Sequence, residues 1–348
     1  MNNDYMKSYG FLGIGQFGTN VTKSFEEVGY PCVVANSSTE DLMTRNAKNK
    51  LHFKNGQGCH RDRRKSKQLL KENLKQLIDE VKAKMPSMTT LFICASAAGG
   101  TGSGMLAAVS KILAEELRIN ICLVTVLPDN SESYQAFANV VELFKEIEQL
   151  DCIGAVFVLD NAKNQDKLKI NDIFFTHLHT ILMNENGGNY GCLDRSEIDK
   201  LLSVPGMAVI AKVGKDNRDK LIPALVSSNI YAPIEQNKVV RYIGYLSCGV
   251  KADISDLFLE VGTPIDTYIG TNAPSYSCML TGLSLPKTRL VEIMGLAKNN
   301  VEIIQNNIKS VEESLFDDSM DFLTAFEEKP KKKQEKKLTS LDILNEFL

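Results

Sequence analysis

No two of the eight cysteines stand in a CxxC pair; they fall singly at 32, 59, 94, 122, 152, 192, 248 and 278. That spacing offers no zinc or dithiol framework, and runs such as Ile121-Cys122-Leu123-Val124 suggest buried, reduced thiols. Histidine is scarce, four in 348 residues, and His177 and His179 lie two apart on a helix-like stretch. They point in different directions there, so no metal site is expected. No apolar run approaches the roughly 20 residues that span a bilayer, and Met1-Asn2-Asn3-Asp4 lacks the basic and apolar parts of a secretory leader. A cytoplasmic protein without stable membrane insertion is expected. Neither sign of charge is in excess: the formal net charge is −3 with 24% charged residues, and 348 residues suffice for two domains.

What is present is alternation. Apolar runs at Ser8–Gly13, Cys32–Ala35, Leu91–Ala95, Ile121–Val126 and Ala155–Leu159 alternate with helical patterns at Thr19–Val28, Lys65–Lys84, Met105–Leu117 and Tyr134–Gln149. Continuous apolar strands between helices predict a buried, mostly parallel sheet covered on both faces, an α/β, Rossmann-like fold. We place this domain at residues 1–168 and a connecting helix at 169–186, ending near the glycine break Gly187-Gly188-Asn189-Tyr190-Gly191. Residues 187–286 read as a smaller α+β domain with strands at Met207–Val213, Val239–Cys248 and Ser277–Leu285 and a helix near Asp253–Val261. From Leu290, the positions Met294, Ala297, Val301, Ile304, Ile308, Val311 and Leu315 form a helical stripe, so a C-terminal helix is expected over 287–328. The stripe suits a helix lying on its own protein or an intermolecular coiled coil. The tail, 329–348, carries six lysines against three acids and should be a flexible linker, leaving −6 on the rest of the chain.

Two glycine loops carry the chemistry. Gly99-Gly100-Thr101-Gly102-Ser103-Gly104 joins a strand to a helix, and such a loop brings backbone N–H groups and the positive end of a helix dipole to an anion. Gly13-Ile14-Gly15-Gln16-Phe17-Gly18 repeats the arrangement after the first strand. A GxGxxG alone suggests a dinucleotide site, but the second strand ends Val34-Ala35-Asn36-Ser37-Ser38, without the acid that would hold a ribose, and a second phosphate loop is surplus. The lysine-bearing GxxxxGK[ST] loop is absent. Two such loops on one sheet edge can instead hold one nucleoside triphosphate between them.

This combination resembles the tubulin/FtsZ family, whose signature has the common form GGGTG(T/S)G. The resemblance spans residues 8 to about 286. It implies that Gly15, Gln16 and Asn20 lie by the α- and β-phosphates and the base, and that Gly99, Gly100, Thr101, Gly102, Ser103 and Gly104 bind phosphates. It further implies that Glu132 accepts from the ribose, that Asn161 and Asp172 read guanine, and that GTP and GDP are bound, with Mg2+ held mainly by phosphates and water rather than by a protein metal site. In loop 191–198, Cys192-Leu193-Asp194-Arg195-Ser196-Glu197 matches the family's N-x-D-x-x-D, with Cys for Asn and Glu for Asp. On spacing alone Asp194 and Glu197 form a helix capping box; the resemblance implies instead that they polarise the water attacking a neighbouring subunit's γ-phosphate. The basic loop Cys59-His60-Arg61-Asp62-Arg63-Arg64-Lys65 reads either as solvated surface or as the source of a cation for that phosphate.

The long terminal helix and lysine-rich tail look like the TubZ branch, plasmid- and phage-encoded tubulin homologues. That likeness implies head-to-tail filaments of the chain with itself, and segregation of DNA through a small DNA-binding adaptor on the tail, residues 329–348. Leu341-Asp342-Ile343-Leu344-Asn345-Glu346-Phe347-Leu348 also resembles the peptide by which FtsZ binds its partners, so a cell-division ring GTPase is the alternative.

Overall fold

The computed structural model describes residues 3–183, 193–250 and 252–315. The glycine break, Cys192, residues 316–328 of the expected terminal helix and the lysine tail lie outside these residues. A short helix α1 (Asn3–Met6) is followed by β1 (Tyr9–Ile14), α2 (Gly15–Val28), β2 (Cys32–Asn36), α3 (Thr39–Met43), β3 (Lys50–His52), α4 (Arg63–Lys84) and β4 (Thr90–Ser96). Then come α5 (Thr101–Leu117), β5 (Asn120–Leu127), α6 (Tyr134–Ile147), β6 (Ala155–Asp160), α7 (Lys167–Met183) and α8 (Arg195–Ser203). The last third is β7 (Gly206–Val213), α9 (Leu221–Val226), β8 (Tyr242–Leu246), α10 (Ser255–Val261), β9 (Asp266–Gly270), β10 (Tyr276–Leu283) and α11 (Lys287–Leu315).

The expected parallel sheet is present and longer than anticipated. Ten strands form one sheet in the order β3-β2-β1-β4-β5-β6-β7-β10-β8-β9. The two halves are therefore joined through the sheet and not by the connecting helix alone: β6 and β7 pair in parallel from Ala155–Gly206 to Phe157–Ala208. Only β10 runs antiparallel to its neighbours β7 and β8. Strands β1, β4, β5 and β6 are buried along nearly their whole length, which is why they read as unbroken apolar runs.

Right-handed crossovers place helices on both faces. The chain leaves β1 towards β2 and leaves β4 in the opposite direction, towards β5, so α2 and α5 fall on opposite faces. α2 packs with α7, while α4, α5 and α6 lie side by side and α11 rests on α6. The rings of Phe25 and Phe92 stack on Phe11 at 3.9 and 4.8 Å. Gly13 and Gly18 set the separation of β1 and α2: a Cβ on Gly18 would lie 2.2 Å from the Cys94 carbonyl oxygen.

Several boundaries differ from expectation. α2 starts at Gly15 rather than Thr19, because the first glycine loop is itself the opening turn. β8 covers half of the expected 239–248 run, and the short edge strand β3 was not anticipated. On α11 the buried apolar position among those whose burial is described is Ile293, while Met294 and Ile304 of the expected stripe are 41% and 47% exposed. The helix packs on α6, and Leu290 and Ala297 of that stripe lie against the core together with Ile293 and Leu296, so the contacting face only partly coincides with it.

Candidate nucleotide site

The divergence of the chain between β1 and β4 leaves a crevice beyond the carboxyl ends of these strands, the place where open α/β sheets receive ligands. A cleft of about 540 Å³ occupies it, walled by Gly15 and Gln16, Asn36–Ser38, Gln57–Arg61, Ala98–Gly102, Pro128, Glu132 and Asn161. Gly15 turns into α2 at φ +71°, a left-handed value that suits a residue without a Cβ. Side-chain N-caps close α3 (Ser38), α4 (Asp62), α6 (Ser133), α7 (Asp166) and α8 (Asp194). α2 and α5, the two that open onto the cleft, have none. Their first N–H groups and dipoles are left for an anion.

The phosphate-type loop is fixed from every side. Thr101 Oγ1 meets Ser37 Oγ at 2.7 Å, and Ser66 donates to the Thr101 carbonyl at 2.8 Å. The Asn139 amide, on α6, donates to the carbonyls of Arg61, Ala98 and Gly99 at 2.9, 3.3 and 3.2 Å. Arg63 is 7% exposed and joins the Ser103 carbonyl on α5 to Glu142 and Glu146 on α6. The left-handed pair His60 and Arg61, at φ +46° and +64°, lays the basic loop over Gly100, where a Cβ would come within 2.8 Å of Arg61 Cα.

Of the residues expected at the site, Gly15, Gln16, Gly99, Gly100, Thr101, Gly102, Glu132 and Asn161 line the cleft. Ser103 and Gly104 are buried behind it: the Ser103 hydroxyl donates to the Gly99 carbonyl, and Gly104 packs against Arg63 and Ser66. Asn20 is half-buried further along α2, and Asp172 is exposed on α7; neither is in the lining. Glu132 is held between two cations, Arg61 at 2.6 Å and Lys167 at 3.3 Å. Lys167 also sits 2.7 Å from Asp129, and with Ser131 it holds that carboxyl down to about 2.

Asn161 opens a 3-10 turn capped by Asp160, which accepts from the Ala162 N–H. Asp160 is paired with Arg289 of α11 at 2.8 Å, both side chains within 3% of full burial, and Arg289 also donates to the Pro128 carbonyl at 3.2 Å. One buried guanidinium thus fixes two stretches of cleft wall. Sequence reasoning missed Asn139 and Arg289. Asn139 had a signal, a polar residue on the buried face with Ala136, Val140 and Leu143; Arg289 had none, since its partner lies 129 positions away.

Asp194 and Glu197 lie elsewhere. They form the capping box: Asp194 accepts from the Glu197 N–H and Glu197 from the Asp194 N–H, each at 2.9 Å. The Glu197 N–H, then Ser196, holds the exposed Asp194 carboxyl below its usual range. α8 crosses the amino ends of the strands, with Asp199 accepting from Tyr9, Arg195 donating to Thr89 and the Leu202 carbonyl accepting from Cys122. The cleft is at the carboxyl ends. The seven residues of β4 separate the two edges, roughly 20 Å at about 3.3 Å per residue.

A mostly parallel sheet with two uncapped glycine-loop helices at its switch point defines a nucleotide-binding fold of the tubulin type. Residues 10–169 match the Tubulin/FtsZ family GTPase domain, so this part of the chain is similar to that family. The tubulin-like protein TubZ of Clostridium botulinum C phage is 27% identical over 310 residues, covering 86% of this chain and 83% of that protein. In three dimensions the chain resembles TubZ of Clostridium botulinum phage c-st, with a TM-score of 0.77, 22% identity and coverage of 87% of this chain and 99% of the other. It also resembles TubZ of Bacillus thuringiensis serovar israelensis in GDP-form protofilaments, with a TM-score of 0.70, 19% identity and coverage of 87% and 94%. No helix among the described residues is long and apolar enough to cross a membrane.

Proposed function

We propose that this chain binds GTP in the cleft, assembles head-to-tail into filaments and hydrolyses the nucleotide where two subunits meet. The observation that carries the reading is the placement of the cleft and the Asp194–Glu197 pair on opposite edges of one sheet. Acids roughly 20 Å from a phosphate cradle cannot serve it within one chain, but a second copy stacked in the same orientation brings its acids over the first copy's cleft, a heterologous contact that propagates. Protofilaments of the Bacillus TubZ agree with this mode of assembly.

In this mechanism the amides of the Gly99–Gly102 loop and the start of α2 hold the phosphates, Glu132 takes the ribose, and Asn161 reads the base, with Asp172 completing the guanine contact from α7. Mg2+, when bound, would be held by the phosphates and water and would supply charge neutralisation there. Asp194 and Glu197 of the incoming subunit orient and polarise the attacking water. The lysine tail carries a small DNA-binding adaptor, giving a cytoplasmic filament that segregates plasmid or phage DNA. The test is phosphate release against protein concentration. Turnover per subunit is expected to rise steeply above a threshold, and a flat specific activity overturns the scheme; deleting residues 329–348 is expected to spare the threshold and abolish adaptor capture.

A further inference from the structure

The cleft is poor in positive charge. Its lining has three carboxylates, Glu40, Asp41 and Glu132, while the basic side chains among the described residues are Arg61 and His60 alone. The amino ends of α2 and α5 add about half a charge each, too little to balance a nucleoside triphosphate. Beyond any Mg2+ carried by the phosphates, a permanent protein cation can come from the basic loop that overlies Gly100, which offers three arginines.

The structure separates them. Arg63 is buried and spent on Ser103, Glu142 and Glu146. Arg64 faces a neighbouring hollow with Tyr134 and Gln135, outside the cleft. Arg61 alone combines a fixed backbone with an accessible head. Its carbonyl is tied by Asn139 to the same knot that holds Ala98 and Gly99, yet its side chain is 39% exposed at the cleft mouth. There the guanidinium is parked on Glu132 and Ser133. Glu132 keeps a second cation, Lys167, at 3.3 Å, so Arg61 can leave without stranding an unpaired carboxylate.

We propose that Arg61 discriminates nucleoside triphosphate from diphosphate: its guanidinium exchanges Glu132 for the terminal phosphate and returns when that phosphate departs. The inference rests on the reading of the cleft as a GTP site. A planar guanidinium binds a phosphate in a forked, charge-assisted pair that lysine does not reproduce. The exchange leaves Glu132 with Lys167, so one ion pair reports the nucleotide bound.

The experiment is titration of the full chain, below its assembly threshold, with fluorescent GDP and fluorescent GTPγS. R61Q is expected to lose at least about tenfold in GTPγS affinity while GDP affinity stays within about threefold, with R61K intermediate. Equal losses for both nucleotides overturn the proposal, since Arg61 then only shapes the cleft, and so do unchanged affinities for both. E132Q, which removes the parking partner, provides an independent reading should R61Q melt early: its GTPγS preference over GDP is expected to rise, and a fall overturns the exchange. An unaltered chain that binds neither nucleotide overturns the GTP reading itself, an outcome distinct from any result on Arg61.

Discussion

An active site completed by a neighbouring subunit and a self-sufficient one differ sharply in a mixing experiment. The perturbation is the double variant Asp194→Ala/Glu197→Ala, added in increasing proportion to the unaltered chain at constant total concentration. Asp194 is exposed and Glu197 half-buried, and both are engaged in their own helix cap, so their removal costs about 0.5–2 kcal/mol, small beside a stability of about 5–15 kcal/mol. The variant is expected to fold, bind GTP and enter filaments. Losing the groups that polarise water lowers turnover about 10²- to 10⁴-fold, roughly 3–5 kcal/mol of barrier, so the variant's own cleft remains competent only beneath an unaltered neighbour. If both partners of every interface are drawn at random, active pairs are those in which an unaltered acid edge covers a cleft, and they fall with the unaltered fraction whichever chain owns the cleft. The informative mixture therefore adds Gly100→Val to the double variant, whose Cβ would lie 2.8 Å from Arg61 backbone atoms and close the cleft. Productive interfaces then need an unaltered chain on both sides, and an equal mixture that co-assembles is expected to retain about a quarter of the activity. The assay is phosphate release, with co-sedimentation confirming mixed filaments. Retention of half the activity, linear in the unaltered chain, refutes the trans arrangement.

Three further outcomes follow from single residues. His177 Nδ1–H donates to the Ile210 carbonyl at 2.9 Å, and burial lowers its pKa from 6.5 to about 4. Between those values the unfolded chain binds the extra proton, so stability is full above the unfolded pKa and falls as pH drops towards 4, by up to about 3 kcal/mol; urea melts of H177Q are expected to lose that acid slope, and an unchanged slope removes His177 as its source. Gly18→Ala sets a methyl 2.2 Å from the Cys94 carbonyl and is expected to cost a few kcal/mol and nucleotide binding together, whereas Gly295→Ala, with nothing within 4 Å on α11, is expected to stabilise by about 0.5–1 kcal/mol; thermal melts of the pair check both signs.

The central strands and both glycine loops were legible because their cause is local. A strand buried on both faces shows as an apolar run, and a turn without room for a Cβ shows as glycine. The edge strands β3 and β9 were not, because they are short, three and five residues, and mostly exposed or half-buried, so neither carries an apolar run. The continuity of the sheet through β6 and β7 was hidden for another reason: pairing partners some fifty positions apart leave no periodicity in either strand. The same holds at the site. Glycines announced where phosphate could sit, but Asn139, Arg63 and Arg289 hold the loop through contacts across 40 to 161 positions. The capping box was readable from spacing, and the opposition of its edge to the cleft came only with the strand directions.

That opposition also makes the two ends of any single-file stack chemically unlike. In the proposed head-to-tail stack every interior cleft would lie under a neighbour's acids, but the last cleft at one end would have nothing above it, and the acids at the other end nothing below them. The terminal triphosphate therefore outlives all the others in the row. A stack of identical chains becomes a structure whose tip and body hold different nucleotides, and the difference is set by position alone.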